Sequence, residues 1–391
     1  MTIDLADPPT GARSGPLFGV PGSRERIDTP ALVLDLDAVE LNLAAMAEIA
    51  RAAGVALRPH AKTHKSTALA KRQIAAGAIG ICCATLDEAE VMVAAGLPGV
   101  LITSPLVTAG KIARLMDLLD RTDDVMVVAD DAGNVAALDA AAGARGKTLG
   151  VLVDLDLGQR RTGVAGVAEG IRLAREIASW KALRFRGVQA YAGHLQHVAT
   201  RAEREALARA AQARVAALVA ELRAEGLAPA IVTGVGTGTH AIDSEGPFTE
   251  LQVGSYVVMD AEYGAVEHAP GASWPFRPAL FVAVAVTSAN APGQVTTDGG
   301  TKAFALNGPL PTVVAGPLAG AAYAFAGDEH GRLVLPAGVA PPPLGTVIEC
   351  TVPHCDPTVA LHDAYHCVRG DRLVDVWPID ARGRRVPVPP G

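Results

Sequence analysis

The sequence is short of aromatic residues, of positive charge and of long apolar runs. Aromatic residues make up 4% of the 391 residues, so the core has to be built mainly from alanine, valine and leucine. The formal net charge is −7, and there is no basic stripe of the kind that binds nucleic acid or acidic membranes. No apolar run reaches the length needed to span a bilayer. These absences argue against a nucleic-acid partner and against a membrane, and any anionic ligand would have to be met by a local site.

Cysteine is also scarce, and its placement excludes two common uses. The five cysteines lack CxxC spacing, and their odd number does not suit a disulfide framework. Residues 1–26 contain acidic residues and prolines but no apolar segment of the kind that a signal peptide needs. We therefore expect a cytoplasmic protein.

From Ala31 onward, short apolar strands alternate with helical segments. The strands are continuous apolar runs rather than alternating ones, which is typical of a parallel sheet covered on both faces. About eight strand–helix units at this spacing predict an α/β fold, with an N-terminal (β/α)8 barrel over residues 30–268. In this count the run Ala31–Asp37 is the first strand. A doubly wound open sheet is the alternative.

After residue 268 the pattern changes to β-rich segments. Four of them lie between residues 279 and 377, without a convincing amphipathic helix between them. We therefore predict a C-terminal all-β domain over residues 269–391. The Pro- and Gly-rich residues 1–29 are expected to form an arm that joins this domain.

The stretch 55–65 is where chemistry is most strongly indicated. An apolar run gives way to polar and basic residues, and Lys62 stands among His60, His64 and Lys65. Cationic neighbours disfavour the ammonium form of a lysine and make its amine a better nucleophile. In a barrel, Lys62 would lie at the C-terminal end of a strand, where the chemistry of this fold is found. This setting predicts a Schiff-base lysine, and a basic surface loop is the alternative.

Further polar side chains follow other predicted barrel strands. Gln189 and Tyr191 alternate with apolar residues at the end of one strand, where they either fill the barrel interior or line a site. The glycine-flanked loop 156–163 carries Arg160 and Arg161. Each of these arginines is either a surface charge or a partner for a phenolate or carboxylate.

Two glycine-containing loops follow the last predicted strand. The loop 234–239 offers backbone N–H groups and threonine hydroxyls to an anion such as a phosphate. The segment 252–256 offers similar donors, although an ordinary turn is equally consistent with its sequence.

In the C-terminal part, His354 and Asp356 form a His-x-Asp pair directly after a predicted strand. In an extended chain residues i and i+2 project to the same face, so we interpret the pair as metal ligands while Cys355 points away. Imidazole plus carboxylate suits Mn²⁺, Zn²⁺ or Mg²⁺. A hydrogen-bonded turn is the alternative. Residues 362–363 offer a second shell, and Asp328 belongs to another acidic cluster of the same domain.

Taken together, these motifs resemble the D-threonine aldolase and D-serine dehydratase group. These are pyridoxal-phosphate enzymes with an alanine racemase-like fold, and the resemblance extends over almost the whole chain. The segments that carry it are Arg58–Lys65, Gly80–Cys83, Gly158–Val164, Gln189–Tyr191, Gly236–Gly238, Glu250–Tyr256, Met259-Asp260, Asp328–Gly331, His354–Thr358 and His362-Asp363.

The resemblance implies a role for each candidate residue around pyridoxal phosphate. Lys62 carries the cofactor as a Schiff base, Arg161 lies against its phenolic oxygen, and Gln189 and Tyr191 line it. The residues that hold its phosphate are Gly236, Thr237, Gly254, Ser255 and Tyr256.

The resemblance also implies a divalent metal ion on His354 and Asp356, with Mn²⁺ first and Mg²⁺ or Zn²⁺ as alternatives. Asp328 lies near the substrate or a metal-bound water, and His197 or a metal-bound hydroxide acts as the base. By this resemblance, the aldolases of the group carry a His-x-Asp motif at the metal pair, whereas the dehydratases carry His-x-Cys. Asp356 therefore favours an aldolase.

The implied reaction is retro-aldol cleavage of a D-β-hydroxy-α-amino acid of the D-threonine type to glycine and an aldehyde, in a homodimer. One alternative is cleavage of 3-hydroxy-D-aspartate, whose second carboxylate would be met by Arg160 or His194. Another is dehydration of D-serine or D-3-hydroxyaspartate. The sequence at His194 and at 300–302 departs from the family pattern, which bears on substrate choice rather than on the cofactor.

Overall fold

The computed structural model describes residues 17–314 and 318–383. The prediction that residues 1–16 belong to an arm therefore lies outside the described residues. The described chain forms two compact units, each discontinuous in sequence. The barrel unit comprises residues 43–254 and 266–273, and the β-sheet unit comprises the described parts of 17–42, 255–265 and 274–382.

The regular elements are numbered in chain order. The strands are β1 (Ala31–Asp35), β2 (Ala56–Leu57), β3 (Cys82–Cys83), β4 (Val100–Ile102), β5 (Val125–Ala129), β6 (Leu149–Asp154), β7 (Leu183–Gln189), β8 (Ile231–Thr233), β9 (Glu250–Leu251), β10 (Leu280–Ser288), β11 (Gln294–Thr297), β12 (Tyr323–Phe325), β13 (Gly331–Val334), β14 (Val347–Thr351), β15 (Ala364–Arg369) and β16 (Arg372–Pro378). The helices are α1 (Leu36–Ala53), α2 (Thr67–Ala75), α3 (Leu86–Ala94), α4 (Ala109–Leu119), α5 (Ala132–Ala144), α6 (Val167–Ser179), α7 (Arg201–Ala224), α8 (His240–Asp243), α9 (Ala261–Gly264) and α10 (Cys355–Leu361). No described helix combines the length and hydrophobicity needed for a membrane span.

The barrel unit is a closed ring of eight parallel strands. Strands β3 to β8 pair in sequence order, and β2 pairs with β9. Single parallel bridges join the two sets, between His60 and Cys82 on one side and between Val235 and Leu251 on the other. The ring from β2 to β9 is thus complete. The predicted (β/α)8 barrel is confirmed in preference to an open sheet.

Helices α2 to α7 each follow a barrel strand, as the alternating pattern predicted. Four of them begin after a residue whose side chain accepts the N–H three positions along the chain, which satisfies a donor that the first helical turn leaves open. These capping residues are Thr85, Thr108, Asp131 and Thr200. One buried apolar cluster joins side chains from five of the strands: Cys82, Leu101, Met126, Val128, Leu152 and Ile231.

One predicted barrel strand belongs elsewhere. The run at Ala31–Asp35 forms β1, which lies between antiparallel β10 and parallel β15 in the large sheet of the β-sheet unit. The expectation that this run opens the barrel is wrong, because a continuous apolar run marks any strand covered on both faces and does not say which sheet covers it. The eighth barrel strand is β9, which is two residues long and too short to give a pattern.

The β-sheet unit is built on one sheet in the order β12–β13–β11–β10–β1–β15–β16, with β14 also paired to β10. The prediction of a strand-rich C-terminal domain holds, but the domain is not all-β. Helix α10 starts directly after His354, and the short helix α9 belongs to the same unit. The third residue of α10 is Pro357, and proline is tolerated in the first turn of a helix.

A buried ion pair spans the closure of the barrel between β2 and β9. Arg58 donates to both carboxylate oxygens of Glu250, from Nε at 2.8 Å and from Nη2 at 3.0 Å. Both side chains are almost fully buried. The remaining guanidinium nitrogen donates to the carbonyl oxygen of Gly99. A Cβ atom at Gly80 or Gly99 would collide with this nitrogen, so both positions need glycine.

We predict that Arg58→Met lowers the free energy of unfolding by about 3 to 5 kcal/mol, because it leaves the Glu250 carboxylate buried without its partner. The double variant Arg58→Met, Glu250→Met is the matched control and should recover most of that loss, since neither charge remains buried. Denaturant unfolding followed by circular dichroism measures both. A single variant as stable as the double variant would contradict this account of the closure.

Candidate active site

Lys62 lies in a 3-10 turn, Ala61–Thr63, that directly follows the bridge between His60 and Cys82 at the end of the first barrel strand. The backbone pairing of the first and last strands continues to this point, because His60 donates its N–H to the carbonyl oxygen of Val253 at 3.1 Å. The side chain of Lys62 is therefore presented from the C-terminal rim of the barrel, as predicted.

The ring of His60 fixes this turn. Its Nδ1 accepts the backbone N–H of Lys62 at 3.3 Å, and its Nε2 lies 3.0 Å from the hydroxyl of Thr103. That hydroxyl donates to the carbonyl oxygen of Cys83 at 3.1 Å, so it accepts from His60. These partners require a neutral imidazole with its hydrogen on Nε2.

His60, His64 and Lys65 do not form the cluster of free cations that was expected around Lys62, and this part of the sequence argument is wrong. His60 is neutral, as shown above. His64 is fully buried, accepts the N–H of Ser66 on Nδ1 and faces Gln73 Oε1 with Nε2 at 3.2 Å, so it is neutral as well. The Lys65 ammonium group is paired with Glu88. A sequence shows that charged residue types are close, but not the hydrogen bonds that neutralise them.

A chain of hydrogen bonds runs from this turn across the ends of the following strands. Gln189 donates from Nε2 to the carbonyl oxygen of Thr103 at 3.2 Å and to Asp154 Oδ1 at 3.0 Å. Its Oε1 accepts from Gln252 at 3.2 Å, and Thr162 donates to Asp154 Oδ2 at 2.8 Å. Burial raises the pKa of the Asp154 carboxyl, while the bonds from Gln189 and Thr162 lower it. Gln189 is therefore held on three sides at the predicted position.

Arg161 and Tyr191 lie together, as expected of two cofactor-lining residues. The guanidinium carbon of Arg161 is 5.8 Å from the centre of the Tyr191 ring. The loop before Arg161 is turned by Asp156, whose Oδ1 accepts the N–H groups of Gly158 and Arg160, both at 3.0 Å. Arg160 has a positive φ of 57° and is exposed.

The glycine-rich loop has a different construction from the one expected. Gln196 fills the space beneath Gly236 and Gly238: a Cβ atom at either glycine would collide with it. The Oε1 atom of Gln196 also accepts the N–H of Gly238 at 2.9 Å. Gly236 makes room for the side chain of Gln196 and Gly238 for its backbone, and so their presence is not itself evidence for an anion. Thr237 and Gly236 remain in the loop at the C-terminal end of β8.

Gly254 lies against the turn that carries Lys62. A Cβ atom on Gly254 would lie 2.5 Å from the hydroxyl oxygen of Thr63, the residue after Lys62. Within the described residues, this hydroxyl is buried and has no hydrogen-bond partner. A glycine backbone beside a buried hydroxyl that lacks a hydrogen-bond partner suits the oxygen atoms of a phosphate group. Lys62, Thr63 and Gly254 therefore suit the cofactor that the resemblance implies.

Ser255 and Tyr256 begin the segment 255–265 of the β-sheet unit. The Ser255 side chain bonds the thiol of Cys355, and Tyr256 is fully buried with its ring edge-on to Phe276 at 5.7 Å. Neither contact tests the predicted role of these two residues at the phosphate, which stays a prediction.

The residues predicted to bind a metal, His354 and Asp356, lie at the start of a helix and not on an extended strand. His354 is the N-terminal cap of α10 and Asp356 is in its first turn, so the argument from alternating side chains does not apply. His354 Nδ1 lies 2.6 Å from Asn307 Nδ2 and 3.4 Å from Glu262 Oε2. No group of three or more His, Cys, Asp or Glu side chains within residues 17–314 and 318–383 is arranged to hold a metal ion.

Asp260 holds the start of α10 against α9. One carboxylate oxygen accepts the N–H of Cys355 and the other that of Tyr263, both at 2.9 Å. The backbone N–H groups of Ala261 and Glu262 donate to the two residues before His354. One imidazole and one carboxylate are a chemically suitable but incomplete donor set, which leaves positions for water or substrate.

Two further predicted residues are placed without being tested. His197 is half-buried and follows Gln196 in the turn before α7. Asp328 is exposed in the hairpin between β12 and β13, where its Oδ1 accepts from the Thr301 hydroxyl at 3.3 Å. Sequence reasoning missed Thr103 and Gln196, although Thr103 directly follows a barrel strand and that position was the signal available.

Comparison with known proteins agrees with this construction. The family described as alanine racemase, N-terminal domain, matches residues 34–262, and the putative serine dehydratase domain matches residues 279–368. The chain is 41% identical to a D-threonine aldolase from Arthrobacter sp. over 97% of each chain. The chain belongs to the D-threonine aldolase and D-serine dehydratase-like family. The resemblance drawn from the motifs is thereby confirmed.

Two other relatives extend the comparison. The chain is 38% identical to a 3-hydroxy-D-aspartate aldolase from Paracoccus denitrificans, over 93% of this chain and 95% of that protein. The crystal structure of D-threonine aldolase from Filomicrobium marinum has a TM-score of 0.87 and 42% identity, and covers 91% of this chain and 96% of that one. The protein is accordingly a pyridoxal-phosphate-dependent lyase with an alanine racemase-like fold.

We predict that His60→Leu weakens pyridoxal-phosphate binding about fivefold, because loss of one capping bond to Lys62 costs about 1 kcal/mol. His60→Asn, whose side-chain oxygen can still accept that N–H, should keep most of the affinity. Absorbance titration of the cofactor-free variants measures both dissociation constants. A leucine variant that binds as well as the wild type would contradict this role of His60.

Proposed function

We propose that the protein cleaves D-β-hydroxy-α-amino acids of the D-threonine type to glycine and an aldehyde by a retro-aldol reaction, with a divalent metal ion as a second cofactor. The observation that carries this choice is the contrast between two neighbours. Asp356 is partly accessible in the first turn of α10, whereas the Cys355 thiol is fully buried, contacts Ser255 and donates to Asp356 Oδ1 at 3.4 Å. Burial raises the pKa of that thiol well above its ordinary value. The pair available to a metal is thus His-x-Asp.

The barrel unit supplies the residues for the organic cofactor. Lys62 would hold it through its amine, with Gly254 and Thr63 facing its phosphate. Arg161 would meet its phenolic oxygen, and Gln189, held by Thr103 and Asp154, would line it. When bound, pyridoxal phosphate supplies an electron sink for the charge that develops at Cα as the Cα–Cβ bond breaks.

The β-sheet unit supplies the residues for the metal. His354 and Asp356 would hold Mn²⁺, or Mg²⁺ or Zn²⁺, which acidifies a bound hydroxyl group. Glu262 and Asn307 flank His354 and fix the orientation of its ring. We assign to His197 the removal of the β-hydroxyl proton, and to Asp328 a place near the substrate. A homodimer and a cytoplasmic location complete the proposal.

Cleavage of 3-hydroxy-D-aspartate to glycine and glyoxylate is the second candidate. The imidazole of His194 lies beside Gly158, in the loop that presents Arg160. A Cβ atom placed on this glycine would be 3.9 Å from the imidazole ring. Both side chains are exposed on this loop cluster of the barrel unit and suit a second carboxylate. The 38% identity to a 3-hydroxy-D-aspartate aldolase supports the same reading.

Dehydration of D-serine or D-3-hydroxyaspartate has less support. Under the resemblance, a dehydratase carries cysteine as the second metal ligand. In this chain Cys355 precedes that position, and its burial disfavours the thiolate that a metal would need.

We predict that the protein loaded with pyridoxal phosphate and Mn²⁺ releases acetaldehyde from D-threonine. Asp356→Ala should lower the rate by about a hundredfold or more, because the metal contributes several kcal/mol to the reaction. Its affinity for pyridoxal phosphate should stay unchanged, since the residues that hold the cofactor are intact. An aldehyde assay and a cofactor titration of the same samples measure the two effects.

Three results would change the proposal. Glyoxylate from 3-hydroxy-D-aspartate at a higher kcat/KM than acetaldehyde from D-threonine would select the second candidate. Ammonia and a keto acid without aldehyde would select a dehydratase. Full activity of Asp356→Ala in the presence of a chelator would remove the metal from the reaction.

A further inference from the structure

The geometry points to Gln196 as a positioning residue that fixes the loop 236–239 for the phosphate of the cofactor. This inference rests on the proposed function and on the assignment of Gly236 and Thr237 to that phosphate, which the family resemblance implies. Gln196 lies in the turn after the 3-10 helix Gly193–Leu195 and is 2% exposed. It is therefore a buried amide with no access to solvent, placed beneath a loop that has to present backbone groups to an anion.

The amide of Gln196 is fully used by its neighbours. Its Oε1 accepts the N–H of Gly238 at 2.9 Å, and its Nε2 donates to the hydroxyl of Thr239 at 3.1 Å and to the carbonyl oxygen of Ala192 at 3.2 Å. Its own backbone occupies the place that a side chain at position 238 would need. The side chain of Gln196 thus fixes the position of the loop at Gly238 and at Thr239, its C-terminal residue.

Two other buried side chains hold the carbonyl side of the same loop. Arg204, which is fully buried, donates from Nε to the carbonyl oxygen of Gly238 at 2.9 Å and also binds the carbonyl oxygens of Val198 and Glu267. His240 bonds the carbonyl oxygen of Thr237 from Nδ1 at 2.7 Å. Burial lowers the pKa of His240 to about 4, so its ring is neutral at pH 7 and Nδ1 donates.

The loop is consequently held from below at the N–H of Gly238, the carbonyl oxygens of 237 and 238, and the Thr239 hydroxyl. Only Gln196 bonds both an amide and a side chain of this loop, among the contacts described. Loss of its amide would leave the Gly238 N–H buried without an acceptor, which costs free energy that the folded loop can recover only by shifting. A shifted loop would lower phosphate affinity while Lys62 and its turn stay in place.

Gln212 provides a matched control within the same buried layer. It is also a buried glutamine, and it donates from Nε2 to Asp243 Oδ1 at 2.8 Å and to the carbonyl oxygen of Ile242 at 3.1 Å. Its bonds end on α8 and touch residues 236–239 only indirectly, because the Asp243 side chain in turn bonds that of Thr239. Replacing it removes a similar amount of buried hydrogen bonding without removing a direct bond to the loop.

The test compares Gln196→Met with Gln212→Met in cofactor-free protein titrated with pyridoxal phosphate. We expect the dissociation constant of Gln196→Met to rise about tenfold, because two of the three side-chain hydrogen bonds of Gln196 are to the loop and part of the cost of losing them falls on binding. The dissociation constant of Gln212→Met should stay within about twofold of the wild type. At saturating cofactor, the kcat of Gln196→Met should recover to the level of Gln212→Met.

A second pair of variants, Gln196→Glu and Gln212→Glu, guards against a methionine variant that does not fold. The glutamate at 196 keeps an acceptor for Gly238 but puts negative charge beneath an anion site, so it should weaken cofactor binding more than the glutamate at 212. Equal dissociation constants within each pair would overturn the inference while leaving the proposed function intact. A wild-type protein that binds no pyridoxal phosphate would overturn the proposed function, and the inference with it.

Discussion

The structure of the barrel unit depends on how its first and last strands are joined. Strands β2 and β9 are each only two residues long, and their few backbone bonds are reinforced by the buried bidentate pair between Arg58 and Glu250. The pairing continues beyond the strands, because the N–H of His60 reaches the carbonyl oxygen of Val253. Lys62 follows one side of this seam and Gly254 the other. The closure therefore also sets the distance between Lys62 and the second glycine loop.

Around that seam the barrel rim is organised by neutral hydrogen-bonding groups rather than by charge. His60 and His64 are held in neutral forms, and Lys65 is compensated by Glu88. The amide of Gln189 links Thr103 to Asp154, the one buried carboxyl of this network. These bonds hold Gln189 and the turn around Lys62 in place. They differ from the cluster of cations that the sequence suggested.

Much of the fold could be predicted from the sequence because its main signals are local. The repeated apolar runs and the helices between them identified the barrel, and they placed Lys62 at the C-terminal end of a barrel strand. The membership of β1 could not be read in the same way, since Ala31–Asp35 is apolar on both faces in either sheet. Strand β9 is too short for any periodicity. Helix α10 was missed because His-x-Asp was read as the continuation of a strand.

The candidate site was predictable in its residue types but less so in its geometry. The glycines at 236 and 238 suggested a binding site for an anion, yet Gln196 occupies the space beside them. Because Gln196 is about forty residues away in sequence, no local pattern could predict this contact. The tautomer of His60 likewise depends on Thr103, which comes from another strand. Long-range hydrogen bonds of this kind decide how a site is arranged, and they appear only when the chain is folded.

The central claim is that Lys62 is the residue that carries pyridoxal phosphate. Reduction of the cofactor-loaded protein with borohydride, followed by proteolysis and mass spectrometry, tests it directly. We predict a single pyridoxyl adduct on the peptide that contains Lys62, and no adduct after Lys62→Ala. An adduct on Lys65 or on another lysine, or a wild-type protein that gives none, would contradict the account.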